Sequence, residues 1–240
     1  MSWNLDLTGK VSLVTGGTRG IGRCLVERLR RAGSAVAYCG ISTQYLADAQ
    51  RYFDSLGPGP KVAGYVADVG KRDSVERLFG QVDSAFGRLD VLVNNAGVGA
   101  FAPLAELRDE DWESVIGTNL TGAFLCMRAA LPRIKAQGGG WIINISSLAG
   151  KNPFAGGAAY NASKFGLDGM SDAAMLDYRY EGVRIGVIAP GSVDTDFGRA
   201  ARADWKIAPE DVAETAAWLM ASPARTMISR VEIRPSQPKR

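Results

Sequence analysis

Short apolar runs alternate with longer amphipathic stretches along the whole chain, and this alternation restricts the fold more than any other feature of the sequence. The runs Val11–Thr15, Ala35–Cys39, Val62–Val66, Val91–Val93, Trp141–Ile145, Val183–Ala189 and a last one near Met227–Ile233 read as strands. Most are apolar throughout, as strands covered on both faces must be. Between them, Ile21–Arg31, Gln44–Leu56, Ser74–Phe86, Asp109–Lys135, Tyr160–Tyr180 and Pro209–Ala221 place apolar residues at helical spacing. Seven strands separated by six helical stretches predict an α/β fold, a doubly wound parallel seven-stranded sheet with helices on both faces. Right-handed crossovers then put a ligand at the carboxyl ends of the strands. With 240 residues and no repeat or low-complexity linker, the chain reads as a single domain over 1–240.

Composition narrows the chemistry. The chain contains no histidine, which excludes His-based triads, imidazole acid/base work and His metal ligands. Its three cysteines, Cys24, Cys39 and Cys126, lie far apart without a CxxC pair, so neither a metal site nor a disulfide framework is expected. The start MSWNLDLTGK lacks the basic and apolar regions of a signal peptide, and no uncharged apolar run reaches the ~18 residues of a membrane span. A reducing, cytoplasmic setting and no membrane partner are expected. The formal net charge of +3 comes from scattered basic residues. The densest group, Arg28, Arg30 and Arg31, suits the last turn of a helix better than a nucleic-acid patch, so no nucleic-acid partner is expected.

The first strand runs into Thr15-Gly16-Gly17-Thr18-Arg19-Gly20-Ile21-Gly22 and then a helix. Such a turn lets backbone approach a pyrophosphate and aims free N–H groups and the positive helix end at it. Further motifs follow in order: Asp68-Val69 after the third strand, Asn94-Asn95-Ala96-Gly97 after the fourth, Asn119 in the next long helix and Ser146-Ser147 after the fifth. Tyr160-x-x-x-Lys164 opens the following helix, and Pro190-Gly191-x-Val193-x-Thr195 follows the sixth strand. Together these resemble the short-chain dehydrogenase/reductase family over Leu7 to about Ile233, and imply its Rossmann-like fold. Independently of that resemblance, nearly all the segments fall just after strands, on the edge where a doubly wound sheet binds its ligand.

The resemblance implies a nicotinamide dinucleotide cofactor. It assigns Gly16, Thr18, Arg19, Gly20, Ile21 and Gly22 to the phosphates, Asp68 to the adenine amino group and Val69 to the adenine pocket. Asn95, Ala96 and Gly97 pass beneath the adenosine ribose, while Pro190, Gly191, Val193 and Thr195 meet the nicotinamide end. One of Asn94 and Asn95 is also expected to tie neighbouring strands. An NAD enzyme carries a carboxylate at the end of the second strand, about 20 residues past the glycines, for the ribose 2′-hydroxyl. Here that segment reads Tyr38-Cys39-Gly40-Ile41-Ser42-Thr43, without an acid before Asp48. NADP(H) is therefore expected over NAD(H), with Arg19 on the 2′-phosphate and Ser42 and Thr43 as hydroxyl donors. Ile41 departs from the second arginine that many NADP users carry there.

Hydride transfer to a carbonyl needs a group that protonates the developing alkoxide, and without histidine tyrosine is the natural donor. Free tyrosine titrates near ~10, so it needs a nearby positive charge. Lys164, four residues after Tyr160, supplies one on the same helix face. By resemblance, Tyr160 is acid in reduction and base in oxidation, Lys164 lowers its pKa and binds the nicotinamide ribose, and Ser147 orients the substrate oxygen. Asn119 holds a water that links Lys164 to solvent. The activity implied is a reversible carbonyl reductase on a small-molecule carbonyl or alcohol. A catalytically silent NADP(H)-binding regulatory protein is the alternative.

The resemblance implies a substrate lid between the sixth strand and the last helix, where only 196–208 is available, short enough to predict an open pocket. Its Arg199, Arg202 and Lys206 face Asp196 and Asp204, a slight positive excess that either attracts an acidic substrate or is solvated. Phe101, Phe154 and Phe197 are candidates for an apolar wall or for ordinary packing. The resemblance implies a homodimer or homotetramer, although Arg234-Pro235 replaces the usual glycine pair after the last strand.

Overall fold

The computed structural model describes residues 4–197 and 203–238. Seven strands, β1 (Val11–Thr15), β2 (Ala35–Gly40), β3 (Val62–Val66), β4 (Val91–Asn94), β5 (Gly140–Ile145), β6 (Val183–Pro190) and β7 (Arg230–Ile233), form one sheet in the order β3-β2-β1-β4-β5-β6-β7. Every neighbouring pair is parallel. The expected doubly wound sheet is thus the observed one, and its order reverses between β1 and β4. That switch point opens a crevice at the carboxyl ends, where the glycine turn leaves β1.

Strand periodicity splits the apolar side chains between two cores. Val91 and Val93 of β4 face one side and Leu92 the other; Trp141, Ile143 and Ile145 of β5 share the first side with them, and Ile142 faces Leu92's. On the first face pack α1 (Gly20–Arg31), α2 (Thr43–Ser55) and α7 (Pro209–Met220); on the second pack α3 (Arg72–Phe86) and α5 (Gly122–Ala136), with Met170, Ala174 and Met175 of α6 (Ala158–Tyr178) at its edge. Local signals fix the ends of these helices. Gly87 closes α3 in the left-handed region at φ 72°, and Pro209 starts α7 while Asp211 accepts from the Ala208 amide at 3.2 Å.

Two expectations change. The single helix anticipated over 109–135 is three pieces: α4 (Asp109–Ile116), a π-helical turn Gly117–Thr121, and α5. The widened turn surrounds Asn119, whose buried side chain bonds away from the helix. The last strand is also shorter than anticipated, Arg230–Ile233, because only those residues pair with β6. By length and composition Asp109–Ala136 is apolar enough to cross a membrane, although no uncharged run there is long. Half of its most apolar window is buried in the fold, as in a core helix.

Candidate active site

A cleft of about 1050 Å³ runs along the carboxyl edge of the sheet. The glycine turn makes its floor, and sterics require glycine there. A Cβ on Gly22 would lie 2.0 Å from the Gly16 carbonyl oxygen, and one on Gly16, at φ 65°, would lie 2.9 Å from Ala96 Cα. Asn95 locks the turn by donating from Nδ2 to the Thr15 and Gly16 carbonyls, each at 3.0 Å. Thr15 Oγ1 accepts in return from the Asn95 and Ala96 amides, also at 3.0 Å. Asn94 is the one that ties strands, donating to Asn144 Oδ1 of β5 at 2.8 Å, but Asn95 is structural too.

At the far end of the cleft, the Arg19 guanidinium lies 5.0 Å from the centre of the Tyr45 ring, in cation–π range. Ser42 caps α2, its Oγ accepting from the Tyr45 amide at 3.3 Å, which leaves its hydroxyl proton free for another acceptor. Ile41 is exposed beside them, and no carboxylate from the end of β2 lines this part of the cleft. Asp68 stands apart from the cleft lining; its Oδ1 accepts from the Gly70 amide at 3.0 Å, holding the turn that presents Val69.

The chemistry end is buried and densely bonded. The Tyr160 and Ser147 side chains stand together in the cleft, and Ser147 Oγ accepts from the Ala149 amide at 3.1 Å. Lys164 is buried one turn further along α6 and donates from Nζ to the Ile145 carbonyl at 2.9 Å. Burial lowers its pKa to about 8, opposed by the carboxylate of Asp168, a further turn on. Burial also pushes the Tyr160 hydroxyl above its ordinary value, with the nearby Ser147 hydroxyl pulling it down. Desolvation, not the downward pull expected from Lys164, sets this direction.

Behind these groups, Asn119 Oδ1 accepts from the Val98 amide at 2.8 Å while Nδ2 donates to the Val98 carbonyl at 2.9 Å and to Ser163 Oγ at 3.0 Å. Ser163 Oγ in turn donates to the Tyr160 carbonyl at 2.8 Å. Asn119 therefore sits outside the cleft lining and clamps the segment after β4 to the first turn of α6. On the other wall, Val193 pairs with Ile207 in an isolated parallel bridge, which holds 203–207 close to the strand end.

Gly16, Thr18, Arg19, Gly20, Ile21, Gly22, Ser42, Val69, Asn95, Ala96, Gly97, Ser147, Tyr160, Lys164, Pro190, Gly191, Val193 and Thr195 all line this one cleft, as expected from the sequence. Asp68 and Asn119 do not. Arg199 and Arg202 of the anticipated lid lie outside the described residues. Two contributors went unnoticed in the sequence, Tyr45 and Ser163. Tyr45 lies one helical turn past Ser42, a spacing that was readable; Ser163 carried no signal beyond standing next to Lys164.

A family profile described as short chain dehydrogenase matches residues 10–206. The chain belongs to the short-chain dehydrogenase family. It is 37% identical over 205 residues to a 3beta-hydroxysteroid dehydrogenase of Mediterraneibacter gnavus, covering 85% of this chain and 73% of that protein. A D-threitol dehydrogenase of Mycolicibacterium smegmatis is 34% identical over 247 residues, 97% of this chain and 94% of that one. The crystal structure of a metagenomic short-chain oxidoreductase in complex with NADP superposes with a TM-score of 0.85 at 37% identity, covering 97% and 99% of the two chains. This short-chain dehydrogenase is accordingly an NAD(P)-dependent oxidoreductase.

Proposed function

We propose that this short-chain dehydrogenase interconverts a carbonyl and a secondary alcohol using NADP(H), with Tyr160 as the proton donor and acceptor. The observation that carries the reading is the Tyr160 side chain, standing with Ser147 in the same cleft as the glycine turn, with buried Lys164 one helical turn behind it. The turn fits a dinucleotide because Gly16 and Gly22 pack backbone against backbone and bring the amino end of α1 to the cleft floor, where free N–H groups and the helix dipole suit phosphate. When bound, the nicotinamide supplies or accepts the hydride.

The chain's own residues do the rest. Ser147 donates to the substrate oxygen and turns the carbonyl toward Tyr160. As the carbon gains hydride, the Tyr160 proton passes to the oxygen, and the balance is ketone, NADPH and one proton giving secondary alcohol and NADP⁺. Lys164 steadies the resulting phenolate, and Asn119 fixes the helix start that presents both, with a water beside it returning the proton from solvent. At the other end Arg19, stacked on Tyr45, meets the 2′-phosphate together with Ser42, while the absence of a carboxylate from the end of β2 removes the repulsion that selects against it. We also propose a cytoplasmic protein acting as one domain over 1–240, without nucleic-acid or membrane partners. Its oligomer is a homodimer or homotetramer, supported by exposed Trp112, Phe124 and Phe165 on α4, α5 and α6.

A panel of ketones mixed with the protein and either NADPH or NADH, followed by loss of reduced-nicotinamide absorbance, tests the reading. Turnover with NADPH about tenfold faster than with NADH at equal concentration is expected. Tight NADPH binding without turnover of any ketone would replace it with the silent regulatory reading.

A further inference from the structure

Three phenylalanines from three loops gather at Tyr160. Phe101 follows β4, Phe154 follows β5 and Phe197 follows β6. The Tyr160 ring has Phe101 at 5.7 Å and 66° and Phe197 at 5.7 Å and 50°. Phe154 extends the group, 5.8 Å from Phe101. These are the offset and edge-to-face spacings of favourable aromatic pairs. Yet Phe101, Phe154 and Phe197 remain 48%, 47% and 41% exposed; Phe197 lines the cleft with Tyr160, and Phe101 and Phe154 extend its exposed ring surface beyond the cleft lining. Exposed apolar surface rimming a polar reactive group is how a ligand wall looks.

Backbone sets the positions of these rings. A Cβ on Gly99 would lie 2.8 Å from Phe101 Cζ and 3.2 Å from Phe197 Cζ, and one on Gly157 would lie 2.7 Å from Phe154. Glycine at both places lets the rings settle against the main chain. The Ala102 amide donates to the Gly156 carbonyl at 2.9 Å, which fastens the Phe101 loop to the Phe154 loop.

We propose that the substrate is a ketone, or the matching secondary alcohol, with a flat apolar ring next to its carbonyl, an aryl or fused alicyclic ketone. Its ring lies against Phe101, Phe154 and Phe197 and its oxygen at Tyr160 and Ser147. This rests on the carbonyl reading of Tyr160 and adds the substrate class to it.

With NADPH, 1-tetralone serves as the ring probe, dihydroxyacetone as the small polar probe and acetoacetate as the anionic one. A kcat/KM for 1-tetralone about tenfold or more above both others is expected. Phe154→Ala and Phe101→Ala each raise its KM by about tenfold, and Phe101→Tyr restores it. Phe101→Leu, which keeps apolar volume and removes the ring, replaces the alanine variant should that one not fold. Binding without turnover gives a separate readout: NADPH-loaded Tyr160→Phe protein, titrated with 1-tetralone and followed by NADPH fluorescence, should saturate, and Phe154→Ala in that background should weaken it about tenfold. Saturable binding without reduction of any ketone leaves the ring site standing and removes the reductase reading. Faster use of dihydroxyacetone or acetoacetate, or tetralone binding unchanged by the ring variants, overturns the substrate class and leaves the reductase reading intact.

Discussion

The two ends of the cleft are built in opposite ways. At the chemistry end, Tyr160, Lys164, Ser147, Ser163 and Asn119 are joined to backbone of β4, β5 and α6 by bonds that are mostly buried, and each group has a partner that fixes its direction. At the end proposed for the adenosine the glycine floor is rigid, but Arg19, proposed to meet the 2′-phosphate, is placed by stacking on the half-exposed ring of Tyr45. Buried, over-determined groups give large losses when removed, because neighbours are left unpaired. Exposed groups held by one contact are screened by water and give graded effects. Under the proposed function, the molecule therefore keeps its reaction fixed and leaves cofactor choice adjustable.

The largest effect should come from Tyr160→Phe. The ring packing against Phe101 and Phe197 survives that change, and only the hydroxyl beside Ser147 is lost. Turnover should fall about a thousandfold, while the NADPH dissociation constant, measured by fluorescence, stays within about twofold. Retained activity would mean that the buried end is not where the proton moves.

The contrast between the ends also explains what the sequence revealed. Glycine spacing and strand periodicity are backbone facts, so the sheet and the floor of the cleft were legible residue by residue. Tyr160 and Lys164 were legible because a four-residue spacing on a helix fixes which face they share. The π-helical turn at Asn119 was not, since a helix that widens by one residue keeps the same apolar pattern on either side of the turn. Tyr45 was overlooked because its part is defined by a partner in another segment, Arg19, and stacking across segments leaves no periodic trace. Asp68 shows a related gap: the sequence puts it in the right loop, and only the structure shows its Oδ1 closing that loop on the Gly70 amide.

An intermediate effect should follow from pH. Reduction needs Tyr160 protonated and Lys164 charged, and burial brings the Lys164 pKa down to about 8. The kcat/KM for ketone reduction should thus be level below that value and fall about tenfold per pH unit above it as the ammonium is lost. For stability the sign is reversed. A lysine depressed from its unfolded value near ~10.4 makes the native state relatively more stable as pH rises from about 8 towards it, and the full penalty applies below. Asp168 holds the Lys164 pKa up, while sharing its carboxylate with Arg230 of β7. Asp168→Asn should move the break in the rate profile to lower pH, and a break that stays in place or moves up would show that Asp168 supports only the β7 contact.

The smallest effects belong to the exposed end, and they separate a direct contact from a positioning one. Arg19→Ala removes a charge-assisted bond to the 2′-phosphate and should weaken NADPH about tenfold while changing NADH less than about twofold. Tyr45 touches Arg19 and supplies no charge itself, so its contribution is that of an exposed cation–π pair, roughly 0.5–1 kcal/mol. Tyr45→Ala should therefore weaken NADPH by only about two- to fivefold, Tyr45→Phe should restore it because the ring face remains, and neither should alter NADH. Measured in the Arg19→Ala background, Tyr45→Ala should cost nothing further, since the partner it orients is gone. Additive losses in that double variant would assign the ring to the adenine itself, and the cofactor end would then be held by two independent contacts in place of one.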